Sequence, residues 1–495
     1  MIGEISERSG TLAETNPVTI ADTIPETIYD VVVIGGGPAG YTAAIRGAEY
    51  GLKIALIDAG TRLGGTCLLV GCVPTKALLF NAELWDYLKD APEFGFAGVE
   101  ARSLDWSAVL ARKNAIVTKH VNGLNFLMRK HKITVITGFA RLTGPAQDGV
   151  HTVDVDAKGV ISRVKAKYVM VATGSEAKLL PGLKPDDTIL TNIEILDISA
   201  PPKSLIVIGA GAVGVEFASI FRSFGTEVTI LEFLPRLVPV EDEEISKELA
   251  RVFRKRGIET NTGAKVEKVE KTANGVRVSY TDANGNAQTK EAEKVLVAVG
   301  RGPLTNGIGL EKTKIELERG AVKVSETQET AESGVFAIGD IVSGLPQLAH
   351  VGAMSGMVAM AKIAGKNYRP VRRDRIPSCT YTDPQIGSAG LTEAQAKEKG
   401  HTLKVGKFPF AGNSKATIVG SHDGFVKVVS DAQFGEILGV HIIGPQATEL
   451  IAEAVAVMEL EGTVEHLMFT IHAHPTLSEA MLDGFAAVEG LAINA

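Results

Sequence analysis

The sequence predicts an α/β protein with two Rossmann-like domains and a third, α+β domain at the C-terminus. Three observations lead to this fold class. The order strand, glycine cluster, helix and second strand occurs at 29–58 and again at 204–232. From about Arg372 the pattern changes to short strands separated by glycine turns. The length of 495 residues also exceeds what one hydrophobic core usually serves.

The composition is that of a globular protein that acts on small molecules. Hydrophobic residues make up 45% of the chain and charged residues 22%. The net charge of -7, with no block of Lys or Arg, disfavours nucleic acid as the main partner. Three cysteines are too few for a secreted disulfide framework, which favours a cytoplasmic location. We expect no membrane span, because no apolar run approaches ~18 residues, and we interpret residues 1–27 as a flexible tail.

The first repeat predicts a dinucleotide site. Its first strand, Val31–Ile34, leads into Gly35-x-Gly37-x-x-Gly40, and its second strand ends at Asp58. In such a motif the first glycine allows a tight turn, the second lets a pyrophosphate approach the backbone, and the third lets the helix pack on the sheet. The helix N-terminus favours phosphate, and Asp58 is placed to accept hydrogen bonds from a ribose.

The second repeat has the same parts in the same order. Gly209, Gly211 and Gly214 are followed by Glu232, and in both repeats the acid lies 18 positions after the third glycine. One such motif alone can be turn chemistry, but two complete units predict two dinucleotides and electron transfer between them. Glu232 favours NAD because a carboxylate there repels the 2'-phosphate of NADP, although Arg236 tempers this preference.

Further strands and boundaries follow the same logic. Apolar segments stopped by glycine predict strands, and a proline-rich segment predicts the entry to the second unit. We expect strands at 169–175, at 295–301 ending in Arg301, at 335–340 ending in Asp340, at 424–431 and at 435–444, an entry segment at 199–204, and an apolar helix at 449–460.

Two cysteines in GGTCLLVGCVPTKALL raise a choice between a structural disulfide, a metal site, ordinary reduced thiols and a redox pair. Zinc is disfavoured because no further Cys or His stands at ligand spacing. A regular helix would separate the Cα atoms of Cys67 and Cys72 by about 8 to 9 Å, beyond the roughly 7 Å limit for a disulfide. A bond therefore requires a distorted backbone, which Gly71 would permit. Lys76 is either a solvated side chain or a buried one that needs a partner such as Glu216.

Together, these motifs resemble the flavin-dependent pyridine nucleotide disulfide oxidoreductases from Tyr29 to about Ala486. The C-terminal segment HAHPTLSE is similar to that of the dihydrolipoamide dehydrogenases within that family. The resemblance implies an FAD enzyme that oxidises protein-bound dihydrolipoamide with NAD. It also implies a homodimer in which the base comes from the neighbouring subunit, serving 2-oxo acid dehydrogenase complexes or the glycine cleavage system.

The resemblance also implies roles for individual residues. Cys67 would be the interchange thiol, Cys72 the thiol against the flavin, His474 the base and Glu479 its orienting carboxylate, with Lys76 near the flavin. The first glycine motif and Asp340 would bind FAD, and the second motif with Glu216 and Glu232 would bind NAD. The cofactor-binding residues that it implies are Gly35, Gly37, Gly40, Asp58, Thr66, Lys76, Thr173, Gly174, Gly209, Gly211, Gly214, Glu216, Glu232, Gly300 and Asp340. The domains that it implies are 28–175 with 305–371 for FAD, 176–304 for NAD, and 372–495 for dimerisation.

The sequence departs from the family pattern at a few positions. Leu69 stands where Asn is usual, Thr75 where Ser is usual, and Asp58 where Glu is usual. The stretch AHVGAMSGM lacks the charged residues common in dihydrolipoamide dehydrogenases. Cys379 has no partner in sequence, and we expect it to be a buried small apolar residue.

Related enzymes fit less well. Mercuric reductases carry a C-terminal cysteine pair, whereas this sequence ends EGLAINA. Glutathione reductases need an Arg-rich NADP site in place of Glu232, and flavin transhydrogenases lack the cysteine pair. Two other functions agree with the sequence: a related disulfide or metal-ion reductase, and a subunit that mainly docks in a multienzyme complex.

Overall fold

The computed structural model describes residues 27–99 and 102–494. The predicted tail, residues 1–27, lies outside the described residues except for its last position. The strands, numbered along the chain, are β1 (Ile28–Ile34), β2 (Ile54–Asp58), β3 (Thr134–Thr137), β4 (Phe139–Leu142), β5 (His151–Ala157), β6 (Val160–Val171), β7 (Ser175–Ala177), β8 (Ile189–Leu190), β9 (Ser204–Ile208), β10 (Glu227–Glu232), β11 (Glu259–Thr262), β12 (Lys265–Thr272), β13 (Gly275–Thr281), β14 (Ala287–Ala292), β15 (Lys294–Val297), β16 (Arg301–Pro303), β17 (Leu317–Glu318), β18 (Ala321–Val322), β19 (Val335–Ala337), β20 (Ser378–Thr380), β21 (Gln385–Gly390), β22 (Leu403–Pro409), β23 (Phe425–Asp431) and β24 (Ile437–Gly444). The helices are α1 (Pro38–Glu49), α2 (Gly65–Val70), α3 (Cys72–Asp90), α4 (Trp106–Lys130), α5 (Ala212–Ser223), α6 (Glu243–Lys255), α7 (Ala349–Ile363), α8 (Glu393–Glu398), α9 (Ser414–Ile418), α10 (Ala447–Glu459), α11 (Val464–Met468) and α12 (Glu479–Val488).

The first compact unit contains the described residues up to Ala77, with Leu110–Lys178 and Arg301–Val371. Its sheet has the order β3-β2-β1-β6-β5-β4, and β19 also pairs with β6. Strands β3, β2, β1, β6 and β19 run parallel, and β4 and β5 extend the sheet antiparallel. The parallel strands are buried apolar runs, as expected where helices cover a sheet. This arrangement brings the ends of β1, β2, β6 and β19 to one edge.

The second unit contains the described residues of Leu78–Val109, Leu179–Gly300 and Arg372–Ala495. It holds a parallel sheet of order β11-β10-β9-β15-β8 and an antiparallel three-stranded sheet β12-β13-β14. It also holds an antiparallel five-stranded sheet of order β20-β21-β24-β23-β22, which α10 and α12 cover. The two parallel sheets and the C-terminal α+β sheet confirm the predicted fold class. The predicted domain boundaries stay a prediction, because both the 176–304 and 372–495 ranges fall mostly within this unit.

Side-chain caps fix where several helices of the second unit begin. Asp242 caps α6 by accepting the N–H of Glu244, and Thr392 forms a reciprocal capping box with Gln395 at the start of α8. Such caps satisfy N–H groups that have no partner within the helix.

A buried lysine joins these two helix starts. Lys427 on β23 is 1% exposed, and its Nζ lies 2.9 Å from Asp242 Oδ1, 2.8 Å from Glu244 Oε2 and 2.7 Å from Glu393 Oε2. A fully buried ammonium group destabilises the folded state unless it is paired in this way. The three carboxylates therefore offset the free-energy cost of burying Lys427 inside the sheet.

One helical stretch among the described residues, Gly65–Phe94, is long and apolar enough by composition to cross a membrane, with a mean hydropathy of 1.4 over its best window. The same test is passed by helices of soluble proteins. The stretch is not one helix, because α2 ends at Val70 and α3 begins at Cys72. The apolar composition of this stretch alone therefore does not identify a membrane-spanning helix.

Candidate active site

The first glycine motif forms a tight turn between β1 and α1. Gly35 has a φ of 112°, and a Cβ there would collide with the carbonyl oxygen of Ala172. A Cβ on Gly40 would collide with the carbonyl oxygen of Gly35. The first and third glycines are therefore required by the packing of the protein itself.

The second motif repeats this geometry between β9 and α5. Gly209 has a φ of 102° and approaches the carbonyl of Ala298, and Gly214 packs against the carbonyl of Gly209. The helix begins at the residue after Gly211, just as α1 begins at the residue after Gly37.

The middle glycines differ from the other two, and this difference tests whether a nucleotide fits. A Cβ on Gly211 would meet nothing within 4 Å, and one on Gly37 would come no closer than 3.8 Å to Gly65. Neither residue has the positive φ that demands glycine. Open space at a helix N-terminus is what a pyrophosphate needs, because the N–H groups and the dipole favour negative charge there. Both motifs therefore fit a dinucleotide.

The acids at the ends of β2 and β10 make equivalent bonds. Asp58 accepts the N–H of Gly36 at 2.5 Å and that of Gly60 at 2.8 Å. Glu232 accepts the N–H of Ala210 at 2.6 Å and that of Leu234 at 2.7 Å.

Each acid thus ties its glycine loop to the loop that follows the second strand. Burial raises the pKa of Asp58, and its two backbone bonds act to lower it. Arg236 donates to the carbonyl of Pro239 at 2.8 Å, so its guanidinium is bound within its own loop.

Cys67 and Cys72 form a disulfide, with their Cα atoms 4.6 Å apart. The predicted backbone distortion lies at Gly71, where the chain leaves α2 with φ -146° and ψ -113° before α3 begins. A Cβ on Gly71 would lie 2.8 Å from the carbonyl oxygen of Thr66. The prediction that a regular helix could not join the pair is confirmed. Leu69, between the cysteines, is partly buried against the core beneath β1 and β2.

Four side chains of the first unit form a network that joins the starts of β7 and β16 to α2 and to the segment after β19. Ser175 donates its hydroxyl to Asp340 Oδ2 at 2.5 Å. Arg301 donates to Ser175 Oγ at 2.8 Å, to the Ser175 carbonyl at 2.6 Å and to the hydroxyl of Thr66 at 3.3 Å. Burial lowers the pKa of the Arg301 guanidinium, and Asp340 opposes that shift. The network brings Thr66, next to Cys67, together with Asp340.

Arg301 and Ser175 have no predicted role in the site. The sequence signal for both is that each directly follows an apolar segment that ends in a glycine, Gly174 or Gly300. Thr173, which precedes Gly174, donates its hydroxyl to the carbonyl of Leu304 at 2.7 Å. Gly174 and Gly300 both have positive φ, of 77° and 107°, and a Cβ on either would meet nothing within 4 Å.

The histidine of the C-terminal motif lies in the loop before α12. His474 Nδ1 is 2.9 Å from Glu479 Oε1, and the other oxygen of Glu479 accepts the N–H of Thr476 at 2.8 Å. The bond from Thr476 and the bond with His474 lower the pKa of Glu479. An ionised Glu479 can accept a hydrogen bond from Nδ1 of His474 and so fix the orientation of the imidazole ring. The His474 side chain is 70% exposed.

Two other predicted residues have defined surroundings. Glu216 is buried on α5, and its Oε1 accepts the N–H of Tyr381 at 2.9 Å. Its pairing with Lys76 stays a prediction. Cys379 is half-buried rather than buried, because it lies near the end of the sheet on β20 with its thiol 3.8 Å from the carbonyl of Thr448. Within residues 27–99 and 102–494, no group of three His, Cys, Asp or Glu side chains is arranged to hold a metal ion.

Comparison with known proteins agrees with this geometry. Residues 29–356 match the family described as pyridine nucleotide-disulphide oxidoreductase, and residues 376–484 match the dimerisation domain of that family. Dihydrolipoyl dehydrogenase of Bacillus subtilis is 44% identical over 94% of this chain and 99% of its own length. Dihydrolipoyl dehydrogenase of Rhizobium etli is 42% identical over the same shares.

Solved structures show the same similarity. LpdA from Mycobacterium tuberculosis superposes with a TM-score of 0.85 at 29% identity, covering 92% of this chain and 99% of LpdA. The Cu(II) complex of RclA, an HOCl-induced flavoprotein disulfide reductase from Escherichia coli, superposes with a TM-score of 0.82 at 27% identity, covering 93% and 99%. With two glycine loops, a cysteine pair and a matching dimerisation domain, the chain belongs to the pyridine nucleotide-disulphide oxidoreductase family.

Proposed function

We propose that this protein is an FAD-dependent enzyme that oxidises protein-bound dihydrolipoamide to lipoamide and reduces NAD to NADH. The observation that carries the proposal is the Cys67–Cys72 disulfide next to the first of two dinucleotide loops. The similarity to dihydrolipoyl dehydrogenases over nearly the whole chain supports this substrate. FAD held at the first loop would supply the two-electron chemistry that links the reduced cysteines to NAD.

The two loops divide the nucleotides between them. The open N-terminus of α1 supports FAD at the first loop, and that of α5 supports NAD at the second. The carboxylate of Glu232 favours NAD over NADP, and the bond between Arg236 and Pro239 keeps that cation in its own loop. The residues proposed for FAD are Gly35, Gly37, Gly40, Asp58, Thr66, Lys76, Thr173, Gly174 and Asp340, and those for NAD are Gly209, Gly211, Gly214, Glu216, Glu232 and Gly300. The proposed domains are 28–175 with 305–371 for FAD, 176–304 for NAD, and 372–495 for dimerisation.

The backbone supports unequal roles for the cysteines. Cys72 is the first residue of the 19-residue helix α3, whereas Cys67 lies inside the short α2. The N-terminus of a helix stabilises a thiolate. A sulfur that is more stable as a thiolate is also displaced faster from a disulfide. An attacking thiolate therefore displaces Cys72 and joins Cys67.

The exchange takes two steps, and each step forms one S–S bond and breaks another. One substrate thiol loses its proton, and the thiolate attacks Sγ of Cys67, which breaks the Cys67–Cys72 bond and releases Cys72 as thiolate. The second substrate thiol, once deprotonated, attacks the first substrate sulfur. This step closes the substrate disulfide and releases Cys67 as thiolate.

We assign the base to His474, oriented by Glu479, and place it on the partner subunit of a homodimer. An unperturbed histidine changes charge near neutral pH, which suits proton transfer from a thiol. The match to a dimerisation domain supports self-association. Exposed apolar residues beside His474, with Phe469 at 71% and Ile471 at 96%, are the kind of surface that a second subunit covers.

The partners proposed are lipoyl-bearing proteins of 2-oxo acid dehydrogenase complexes or of the glycine cleavage system. They follow from the substrate, since dihydrolipoamide is carried on such proteins. The cytoplasmic location stays a prediction from the sparse cysteines.

The test is NADH formation from NAD and dihydrolipoamide by the purified FAD-loaded homodimer. We expect Cys67→Ser to lose at least ~10³-fold in kcat, because no disulfide remains to accept the electrons. The matched control is Cys379→Ser, which removes the third cysteine and should keep full activity. Protein that binds no FAD, or a Cys67→Ser variant as fast as the parent protein, would contradict the proposal.

A second candidate is a reductase that delivers electrons from a nicotinamide to a metal ion or to another disulfide. The Cu(II) complex of RclA is the observation that favours it, at 27% identity. Comparison of kcat/KM for lipoamide and for Cu(II), each with NADH as donor, decides between the two. A value at least as high for Cu(II) would select the second candidate.

A third candidate is a subunit that acts mainly by docking on a multienzyme core. Core binding by a Cys67→Ser, His474→Gln double variant would show that docking is separable from catalysis. If flux through the host complex were unchanged in that variant, docking would be the main role.

A further inference from the structure

The loop between α11 and α12 carries His474 and presents several of its side chains to solvent. Phe469 is 71% exposed, Ile471 is 96% exposed, and the side chain of His474 is 70% exposed. His472 differs from these three residues, because its side chain is only 6% exposed. The side chain of His472 is therefore buried, whereas the side chain of His474 in the same loop is exposed to solvent.

Both ring nitrogens of His472 face groups that can only accept hydrogen bonds. Nε2 lies 2.7 Å from Oε1 of Glu453 on α10, and Nδ1 lies 2.9 Å from the carbonyl oxygen of Thr470. The ring of His472 is therefore held on both sides, by Glu453 of α10 and by the Thr470 carbonyl of its own loop.

His472 also acts electrostatically on Glu479, the carboxylate that orients the base. His472 is among the groups that lower the pKa of Glu479, after the N–H of Thr476 and the bond with His474. Glu479 must stay ionised to hold the Nδ1 proton of His474. His472 therefore favours the charge state that this orientation needs.

We propose that His472 is a positioning residue that acts through His474. It ties the exposed loop to α10 through Glu453 and so fixes the segment that carries His474 beside Glu479. The proposal rests on the function proposed above. It adds two residues, His472 and Glu453, to the machinery of dithiol oxidation without contact with the substrate.

The first test is a double-mutant cycle on the FAD-loaded homodimer. We expect His472→Gln and Glu453→Gln each to lower kcat for dihydrolipoamide by roughly tenfold, because small displacements of a catalytic group are costly. The double variant should be no slower than either single variant. The KM for NAD and the rate of electron transfer from NADH to a dye should not change. The matched control is His466→Gln on α11, which keeps a side chain able to cap its helix and should leave kcat unchanged.

The second test repeats the substitution in a chain that lacks the base. In a His474→Gln background, His472→Gln should cause no further loss of kcat, whereas a purely structural role would still lower activity. Full kcat in His472→Gln, additive losses in the double variant, or an equal loss of dye reduction would each overturn the proposal.

A third measurement does not depend on the substrate. Hydrogen exchange of the backbone amides in residues 469–476 should speed up in His472→Gln and Glu453→Gln but not in His466→Gln. Unchanged exchange would overturn the tie to α10 even if the enzyme acted on another dithiol. If the parent protein forms no NADH from dihydrolipoamide, the proposed function fails, and the exchange measurement still decides the role of His472.

Discussion

Oε2 of Glu232 accepts a hydrogen bond of 2.6 Å from the backbone N–H of Ala210. Asp58 makes the equivalent bond to Gly36 at 2.5 Å in the other nucleotide loop. In both units the bond spans 22 residues, and a second bond runs from the same carboxylate to the N–H two residues ahead. The acids thus shape the loops in addition to any contact that they make with a ribose.

Replacement of Glu232 tests nucleotide selection. We expect Glu232→Gln to raise the KM for NAD by roughly tenfold, since a hydrogen bond to a charged group contributes about 1.5–3 kcal/mol. The KM for NADP should fall, because the charge that repels its 2'-phosphate is gone. Steady-state kinetics with both nucleotides measure this, and Glu227→Gln at the exposed start of the same strand is the control. An unchanged ratio of the two KM values would contradict the assignment.

Replacement of Gly71 tests the break between α2 and α3. A Cβ there would lie 2.8 Å from the Thr66 carbonyl oxygen, so Gly71→Ala must disturb the geometry that brings the cysteines together. We expect a loss of about 1–3 kcal/mol in the free energy of unfolding and a larger fraction of free thiols by titration of the oxidised protein. The control is Gly123→Ala in α4, where a Cβ meets nothing within 4 Å. An intact disulfide with unchanged stability would show that the break does not need glycine.

Replacement of the buried Lys427 should destabilise the folded protein. Lys427→Met leaves Asp242, Glu244 and Glu393 without their shared cation, and we expect a loss of about 3–5 kcal/mol in the free energy of unfolding at neutral pH. Denaturant unfolding measures the loss, and Lys397→Met at the exposed side of Glu393 is the control. A loss no larger than that of the control would contradict the structural role.

The same cluster makes the free energy of unfolding depend on pH in the acidic range. Burial acts to raise the pKa of Asp242 and of Glu244, but the bonds from Lys427 and its neighbours leave both below their ordinary values of 3.8 and 4.5. A lowered carboxyl pKa contributes stability above the unfolded value, and that contribution is lost as the pH falls through the folded value. The cost of Lys427→Met should therefore be largest at neutral pH and shrink below about pH 4. Unfolding curves of both proteins at the two pH values check this, and an equal cost at both would contradict it.

Removal of Arg301 tests the network beside the cysteines. Arg301→Met takes away the donors to Ser175 and Thr66, and we expect weaker retention of FAD, by roughly tenfold, from the loss of bonds worth about 1.5–3 kcal/mol. The measurement is the FAD content of each chain after gel filtration and dilution. Arg301→Lys keeps the charge without the fork of donors and should recover only part of the effect. Full FAD content in Arg301→Met would remove this residue from the site.

The sequence predicted features that depend on neighbours along the chain. The two glycine loops follow from local spacing, and the break at Gly71 follows from helix geometry applied to Cys67 and Cys72. Arg301 could not be assigned in the same way, because its partners Ser175 and Thr66 lie 126 and 235 residues away.

The burial of Lys427 could not be predicted from the sequence either. It lies in the apolar segment GFVKVVSD, which predicts a strand but not the burial of its one lysine, and its partner Asp242 is 185 residues away. Long-range partners of buried charges depend on the tertiary fold, which local patterns do not encode.

The break at Gly71 gives each redox sulfur its own helix. Backbone bonds hold the two segments independently of the sulfurs, from the N–H of Leu68 to the Gly64 carbonyl and from the N–H of Thr75 to the Gly71 carbonyl. Opening the disulfide therefore does not free the cysteines to diffuse apart, and each thiol keeps a high effective molarity toward the other. The pair can be opened and closed in every turnover without a new search by the chain.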